Sequence, residues 1–381
     1  MRILVAALSV LISLFSVTLD LQRPRWDCLA CRLSLCRFDQ LFASIEATGM
    51  SADNLRGLLR EDLQNPLLWC TYGDVLAAQN DMEGARAAFD RAIQLGSGLP
   101  PVLMRAANFA FVHGQPALGF RASSRILIQT PVFDELLFSY FQRSGVPVAR
   151  LLGTAIPANR RAANSWLDWT RANGSTQDLT DTWIWMKQNR FLNQKSAAET
   201  ISTFWERKAF HPARDLWTDW TGYKGSSRSL IANGQFRDEP AGGPFDWTIT
   251  PAGGVSFARQ EGLDVQFSGT ENITLSNIRQ GVVVGPGRYR FSIELEAHEI
   301  TTDEGAFVSI FDPVNPRNLH AETPPIRGTL PRTWQSVEFS VPPVTQALVI
   351  ELERRPSARF DNKIGGTLHI YQMSLDALAK R

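Results

Sequence analysis

The chain has 381 residues, 44% hydrophobic and 20% charged, with a formal net charge of +1. That length holds two or three domains, and the composition is that of a folded globular protein rather than a disordered one. A net charge near zero supplies no overall field to steer nucleic acid, so no nucleic-acid partner is expected.

The N-terminus opens Met1-Arg2 and continues with seventeen uncharged residues, 3–19. As a helix they would span about 25 Å at ~1.5 Å each, which is marginal for a bilayer. No small-residue cleavage signal follows; the exit reads Ser16-Val17-Thr18-Leu19-Asp20. Two readings stand, a signal peptide with a poor site and an uncleaved anchor. Residues 1–22 are expected to be the signal or anchor helix of an exported, membrane-tethered protein, the anchor being preferred. Arg23, Arg25, Arg32 and Arg37 follow the span and run against a simple orientation with the N-terminus inside. The four cysteines, Cys28, Cys31, Cys36 and Cys70, are an even set compatible with disulfides in an oxidising compartment. Cys28 and Cys31 form C-x-x-C, but without the second ligand pair of a zinc site or the βαβ surroundings of a redox motif. The competing reading is ordinary packing of small apolar residues.

Up to about residue 222 the chain reads in helical steps. Within 65–98, Trp69, Tyr72, Gly73, Leu76, Ala85, Phe89 and Ala92 fall at offsets 0, 3, 4, 7, 16, 20 and 23. Small residues at Gly73, Ala85 and Ala92 let two antiparallel helices approach, and the large ones fill the space beside them. Asn80-Asp81 supplies the turn. The pattern resembles a tetratricopeptide repeat. A second, degenerate unit follows in 102–128, where Leu103, Ala107, Gly119 and Ser123 keep only the small-residue logic; an earlier unit over 38–63 carries no signature. Single repeats cannot bury their own faces, so residues 23–222 are expected as a stacked helical region binding a protein partner along a concave surface.

Seven tryptophans cluster beyond the repeats: Trp166, Trp169, Trp183, Trp185, Trp205, Trp217 and Trp220. They read either as an aromatic platform for a sugar or peptide or, preferably, as helix–helix packing, since each ring buries ~150–250 Å².

From Leu230 to Leu378 the period changes to two. Tyr289, Phe291, Ile293 and Leu295 interleave with Arg290, Ser292, Glu294 and Glu296. The runs 263–267, 337–341 and 348–353 alternate likewise, with Gly and Pro clusters between them. This is the pattern of antiparallel sheets with one buried face, and nine or ten short strands predict a two-sheet sandwich over 229–378.

Leu230-Ile231-Ala232-Asn233-Gly234-Gln235-Phe236, Gly285-Pro286-Gly287-Arg288-Tyr289 and 334–342, which opens on Trp334, resemble three ordered motifs of jelly-roll carbohydrate-binding modules of the galactose-binding-domain-like group. In those motifs Asn233 and Gly234 are expected to make a turn, and Phe236 and Trp334 to sit in the core. Such modules often carry a structural calcium; no acidic cluster here matches a ligand set, with Asp361-Asn362 as the loop candidate. The stretch Pro244-Phe245-Asp246-Trp247, with upstream repeats and an anchor, resembles bacterial envelope proteins encoded beside exopolysaccharide and exosortase-type machinery.

A sugar site needs an aromatic ring against the apolar face of the pyranose and polar groups for its hydroxyls. Arg290, Glu294, Glu351, His369 and Tyr371 are candidates from exposed strand faces, with Trp247 at a loop rim. The competing reading is a solvated sheet with Trp247 in the core. No G-x-S-x-G elbow, phosphate-cradling glycine loop or histidine metal spacing occurs, so no enzyme, metal or other cofactor is expected. A glycosidase remains open, because its carboxylate pair is often far apart in the chain. The expected architecture is multidomain α + β: an N-terminal membrane segment, an α-helical tetratricopeptide-like solenoid and a C-terminal antiparallel β-sandwich of jelly-roll type. The expected role is an envelope scaffold for surface polysaccharide assembly or export, with a pure protein–protein adaptor or a divergent glycan-processing enzyme as alternatives.

Overall fold

The computed structural model of the protein describes residues 51–223, 229–360 and 362–379. Side-chain oxygens set where its first helices begin. Ser51, Asn65 and Asp81 each accept a hydrogen bond from a backbone N–H three residues on, starting α1 (Ala52–Glu61), α2 (Pro66–Ala78) and α3 (Met82–Leu95). Proline at the first position opens α2, α4 (Pro100–Val112) and α5 (Pro116–Gln129), where its missing N–H costs no helical bond. With α6 (Asp134–Arg143) these helices form one of two compact units, residues 51–146 with Gly153–Pro157.

The repeat residues meet in pairs. A Cβ at Gly73 would lie 2.8 Å from Cε2 of Phe89, so only glycine lets α2 close on α3. Ala85, Phe89 and Ala92 are fully buried there with Leu76, while Trp69 and Tyr72 pack from the rim. Asn80 takes a left-handed φ of 62° in the connecting turn. The degenerate unit works the same way, a Cβ at Gly119 falling 2.7 Å from the Phe111 ring. Cys70 is a correction to the disulfide expectation: its thiol is free and fully buried, and burial pushes it up to about 12. Cys28, Cys31 and Cys36 lie outside the described residues, as does the expected anchor at 1–22. Among the described residues no helix is long and apolar enough to cross a membrane.

The second unit, Pro147–Leu152 with residues 158–379, combines helices and strands. Its helices are α7 (Val148–Leu151), α8 (Arg160–Asn173), α9 (Thr176–Gln188), α10 (Gln194–Glu206) and α11 (Phe210–Thr221). Capping boxes at Ser175 and Asn193 start α9 and α10. The tryptophan cluster packs partly between helices and partly against the sandwich. Trp166 stacks on Trp169 at 5.2 Å, and its Nε1 donates to Thr182 Oγ1 at 3.1 Å. Trp183 meets Trp220 edge-on and donates to Asp219.

Ten strands follow: β1 (Thr248–Ile249), β2 (Val255–Arg259), β3 (Leu263–Ser268), β4 (Leu275–Val283), β5 (Gly287–Ile300), β6 (Phe307–Phe311), β7 (His320–Glu322), β8 (Gly328–Val341), β9 (Ala347–Arg354) and β10 (Gly365–Ala377). They form two antiparallel five-stranded sheets, β1-β4-β9-β6-β7 and β2-β3-β10-β5-β8. Phe291, Ile293 and Leu295 of β5 and Leu348, Ile350 and Leu352 of β9 share the core between the sheets. Each such side chain, fully buried, stabilises the fold by about 1.5–3 kcal/mol.

The expected helical region up to residue 222 therefore does not hold together as one domain. A Cβ at Gly281 on β4 would lie 2.4 Å from the Trp205 indole of α10. Ile201, Phe204 and Trp217 share a core with Phe245, Val283 and Ala347. Helices α8–α11 thus cover part of the outer side of the β4–β9 sheet.

Candidate functional site

The other sheet presents an outer face built by strict alternation. On β5, Phe291, Ile293 and Leu295 are buried, so Arg290, Ser292, Glu294 and Glu296 face outward. Register then aligns three outward rows across β8, β5 and β10: Trp334–Glu294–Gln372, Ser336–Ser292–Ser374 and Glu338–Arg290–Asp376. The middle row is small and hydroxylated. Its two flanking rows stand four residues apart along each strand, about 13 Å at ~3.3 Å per residue. The result is a shallow trough across three strands, with a floor of serines and an indole on one wall. Trp334 keeps 51% of its surface exposed.

Beyond the Trp334 wall the face is polar and aromatic. A bulge at Tyr371, between Ile370 and Gln372, turns its ring outward. The Arg332 guanidinium lies 3.8 Å over that ring, while its Nε donates to Glu294 Oε1 at 2.7 Å. Tyr371 donates its hydroxyl to Glu296 Oε2 at 2.8 Å, and Glu296 Oε1 pairs with His298 at 2.9 Å. His369 sits edge-on to Tyr371 at 4.2 Å and bonds Asp264 through Nδ1 at 2.5 Å. On the opposite wall Arg288 and Arg290 both bond Glu338.

These bonds fix charge states. The Tyr371 hydroxyl holds the Glu296 carboxyl below its ordinary range and is itself held protonated by that carboxylate. The Arg290 bond does the same to Glu338. Neither carboxyl keeps a proton at neutral pH, as a glycosidic general acid must. What the face offers is a flat apolar ring, hydroxyls and charged donors in fixed positions.

Four of the sequence-derived candidates, Arg290, Glu294, His369 and Tyr371, share this face. Two do not. Glu351 stands on β9 in the other sheet, 8% exposed, opposite Ser309 and Arg279. Burial there pushes its carboxyl up, with Glu353 adding to the effect. Alternation assigns a residue to a face but not to a sheet, hence the error. Trp247 is 3% exposed, its ring stacked on Phe236 at 4.7 Å and its Nε1 donating to the Asn233 carbonyl at 3.0 Å. It belongs to the core and is no platform. Asn233, with φ 47°, makes the expected turn, and a Cβ at Gly234 would strike the Met373 carbonyl at 2.2 Å. Trp334 is the residue the sequence reading misplaced. Its signal was parity: Val337, Phe339 and Val341 point inward, so an even-numbered neighbour on the same strand points out. Asp361 lies outside the described residues, and the Asn362 carbonyl accepts from Arg354 at 3.1 Å. Among the described residues no group of three or more His, Cys, Asp or Glu is placed to hold a metal.

No family model matches the chain, and no curated protein matches its sequence. Among solved structures it is similar to a CBM4 carbohydrate-binding module, with 19% identity over 39% of this chain and 99% of that one, TM-score 0.28. It is also similar to TmCBM61, solved with β-1,4-galactotriose, at 16% identity over 40% of this chain and all of that one, TM-score 0.27. A third likeness is to YrrB, a TPR protein with an unusual peptide-binding site, at 12% identity over 46% of this chain and 95% of that one, TM-score 0.24. Each of these three matches covers less than half of this chain.

Proposed function

We propose that the protein is a non-enzymatic envelope scaffold whose sandwich binds a polysaccharide and whose tetratricopeptide-like helices bind a protein partner. Its setting is the assembly or export of a surface polysaccharide, outside the cytoplasm and tethered by residues 1–22. The single observation that carries the sugar reading is Trp334, a half-exposed indole beside the Ser336–Ser292–Ser374 row. Stacking on a pyranose while serine, glutamine and arginine meet its hydroxyls is the chemistry that arrangement suits. The α2–α3 pair, closed by Gly73 on Phe89, supports the repeat reading of the helical unit.

The ligandless adaptor has its own supporting observation. Arg288, Arg290 and Arg332 are all satisfied by Glu338 and Glu294, so the face is electrostatically complete without a guest. A glycan array probed with the full chain separates the two. Binding that Trp334→Ala abolishes at unchanged stability favours the polysaccharide reading, and no binding to any glycan favours the adaptor.

A further inference from the structure

Strand β8 is the outermost strand of its sheet, hydrogen-bonded to β5 on one side only. It is fourteen residues long, and among the described residues no strand pairs with its other edge. A free edge of that length is a template for another strand, and folded proteins ordinarily blunt one. The blunting here is slight: Pro331 and Arg332 lie in a bulge that interrupts the start, but Thr333 to Val341 runs regularly against β5.

We infer that β8 pairs antiparallel with β8 of a second copy of this chain, about a two-fold axis through Gln335. Three observations carry this. The first is charge. If both outer faces stay on the same side of the joined sheet, partners on the two strands have the same parity, and the axis must pass through a residue. An axis at Gln335 sets Arg332 of each copy opposite Glu338 of the other, on both sides at once. An axis at Trp334 or Ser336 sets Arg332 opposite Ser336 or Ser340 and adds no pair between the copies to the ones Arg332 and Glu338 already make with Glu294, Arg288 and Arg290. Directly opposed side chains lie ~4.5–5.5 Å apart at Cβ, so the opposite charges are in reach. The second observation is Gln335 itself. Its Oε1 is buried and accepts no hydrogen bond, an arrangement folded proteins avoid. On the axis the two side chains stand opposite each other on the inner face, where rotation of the amides out of their present positions would let the Nε2 of one donate to the Oε1 of the other. The third is Trp334. The same register places it beside the partner's Ser336, covering one edge of the exposed indole and running each serine row into the partner's Trp334 row. The pairing stands on the strand edge alone and does not depend on what the face binds.

The test is a cysteine scan in the full chain, with Cys28, Cys31, Cys36 and Cys70 replaced by alanine. Under mild oxidation Gln335→Cys should form an intermolecular disulfide, whereas Ser336→Cys and Val337→Cys alone should not. Because Gln335 faces inward, a second arm uses outward positions: a mixture of Trp334→Cys and Ser336→Cys chains should give the heterodisulfide. Light scattering on the cysteine-free chain at tens of micromolar should report a dimer. A monomer there overturns the inference, and so does preferential self-crosslinking at Trp334→Cys or Ser336→Cys.

Discussion

Trp205 occupies the space a side chain at Gly281 would need: a Cβ there would come within 2.4 Å of Cη2 and 2.8 Å of Cζ3 of the indole. The glycine makes β4 flat enough to seat an α10 tryptophan, which also meets Phe210 and Phe245 edge-on at 4.8 and 5.3 Å. Gly281→Ala forces the ring out of a packed seam. Such overpacking costs about 1–3 kcal/mol, so chemical denaturation should show the second unit less stable by that amount. An unchanged midpoint would mean the seam is loose.

The same seam sets where the chain can be cut. A fragment over 229–381 exposes Ala232, Phe245, Val283 and Ala347, all buried against the helices in the intact protein. It should be poorly soluble or melt broadly, whereas 147–381 should be monodisperse and unfold in one transition. Size-exclusion chromatography and circular dichroism melts compare the two. A 229–381 fragment as stable as the longer one would contradict the shared core.

Among the described residues Arg354 is the only charged side chain in the set of largest fully buried ones. Its guanidinium donates to the carbonyls of Glu304, Ile273 and Asn362 and to Asn272 Oδ1, tying three loops to the end of β9. Arg354→Met keeps most of the volume but orphans those acceptors, each at about 1–3 kcal/mol. Loss of several kcal/mol, read by urea unfolding, is expected; a neutral result would mean water replaces the guanidinium.

Glu351 predicts a pH dependence of stability. Burial disfavours its carboxylate, so its proton is held more tightly in the folded than in the unfolded chain. A folded pKa above the unfolded one means the group favours folding in acid and opposes it once pH rises through the folded value. Glu351→Gln should therefore raise the melting temperature at pH 7, and its advantage should shrink as pH falls toward 4. A constant gain across that range would put the effect in packing rather than ionisation.

The helix pairs were legible because their spacing is periodic and their contacts local: Gly73 and Phe89 lie sixteen residues apart and meet across one turn. The inward and outward sides of β5 and β9 were legible for the same reason, since alternation needs no tertiary information. What escaped was long-range. Glu351 alternates as regularly as Glu294, and nothing local says that β9 belongs to the other sheet. The docking of α8–α11 on the sandwich runs through Gly281, Ala232 and Ala347, residues too small to advertise an interface. Tryptophan is compatible with surface and core alike: Trp247 fits the core reading rather than the loop-rim one, and Trp334, expected in the core, points outward, which only the parity of Val337 and Phe339 reveals.

Isothermal titration of the full chain with the glycan selected on the array, run in parallel on Trp334→Ala and Trp247→Phe, decides the central claim. Trp334→Ala should lose at least tenfold in affinity, about 1.4 kcal/mol, with an unaltered melting temperature, while Trp247→Phe lowers the melting temperature and binds as the parent does. Full affinity in Trp334→Ala would show that the serine trough and its indole wall are not where the sugar sits.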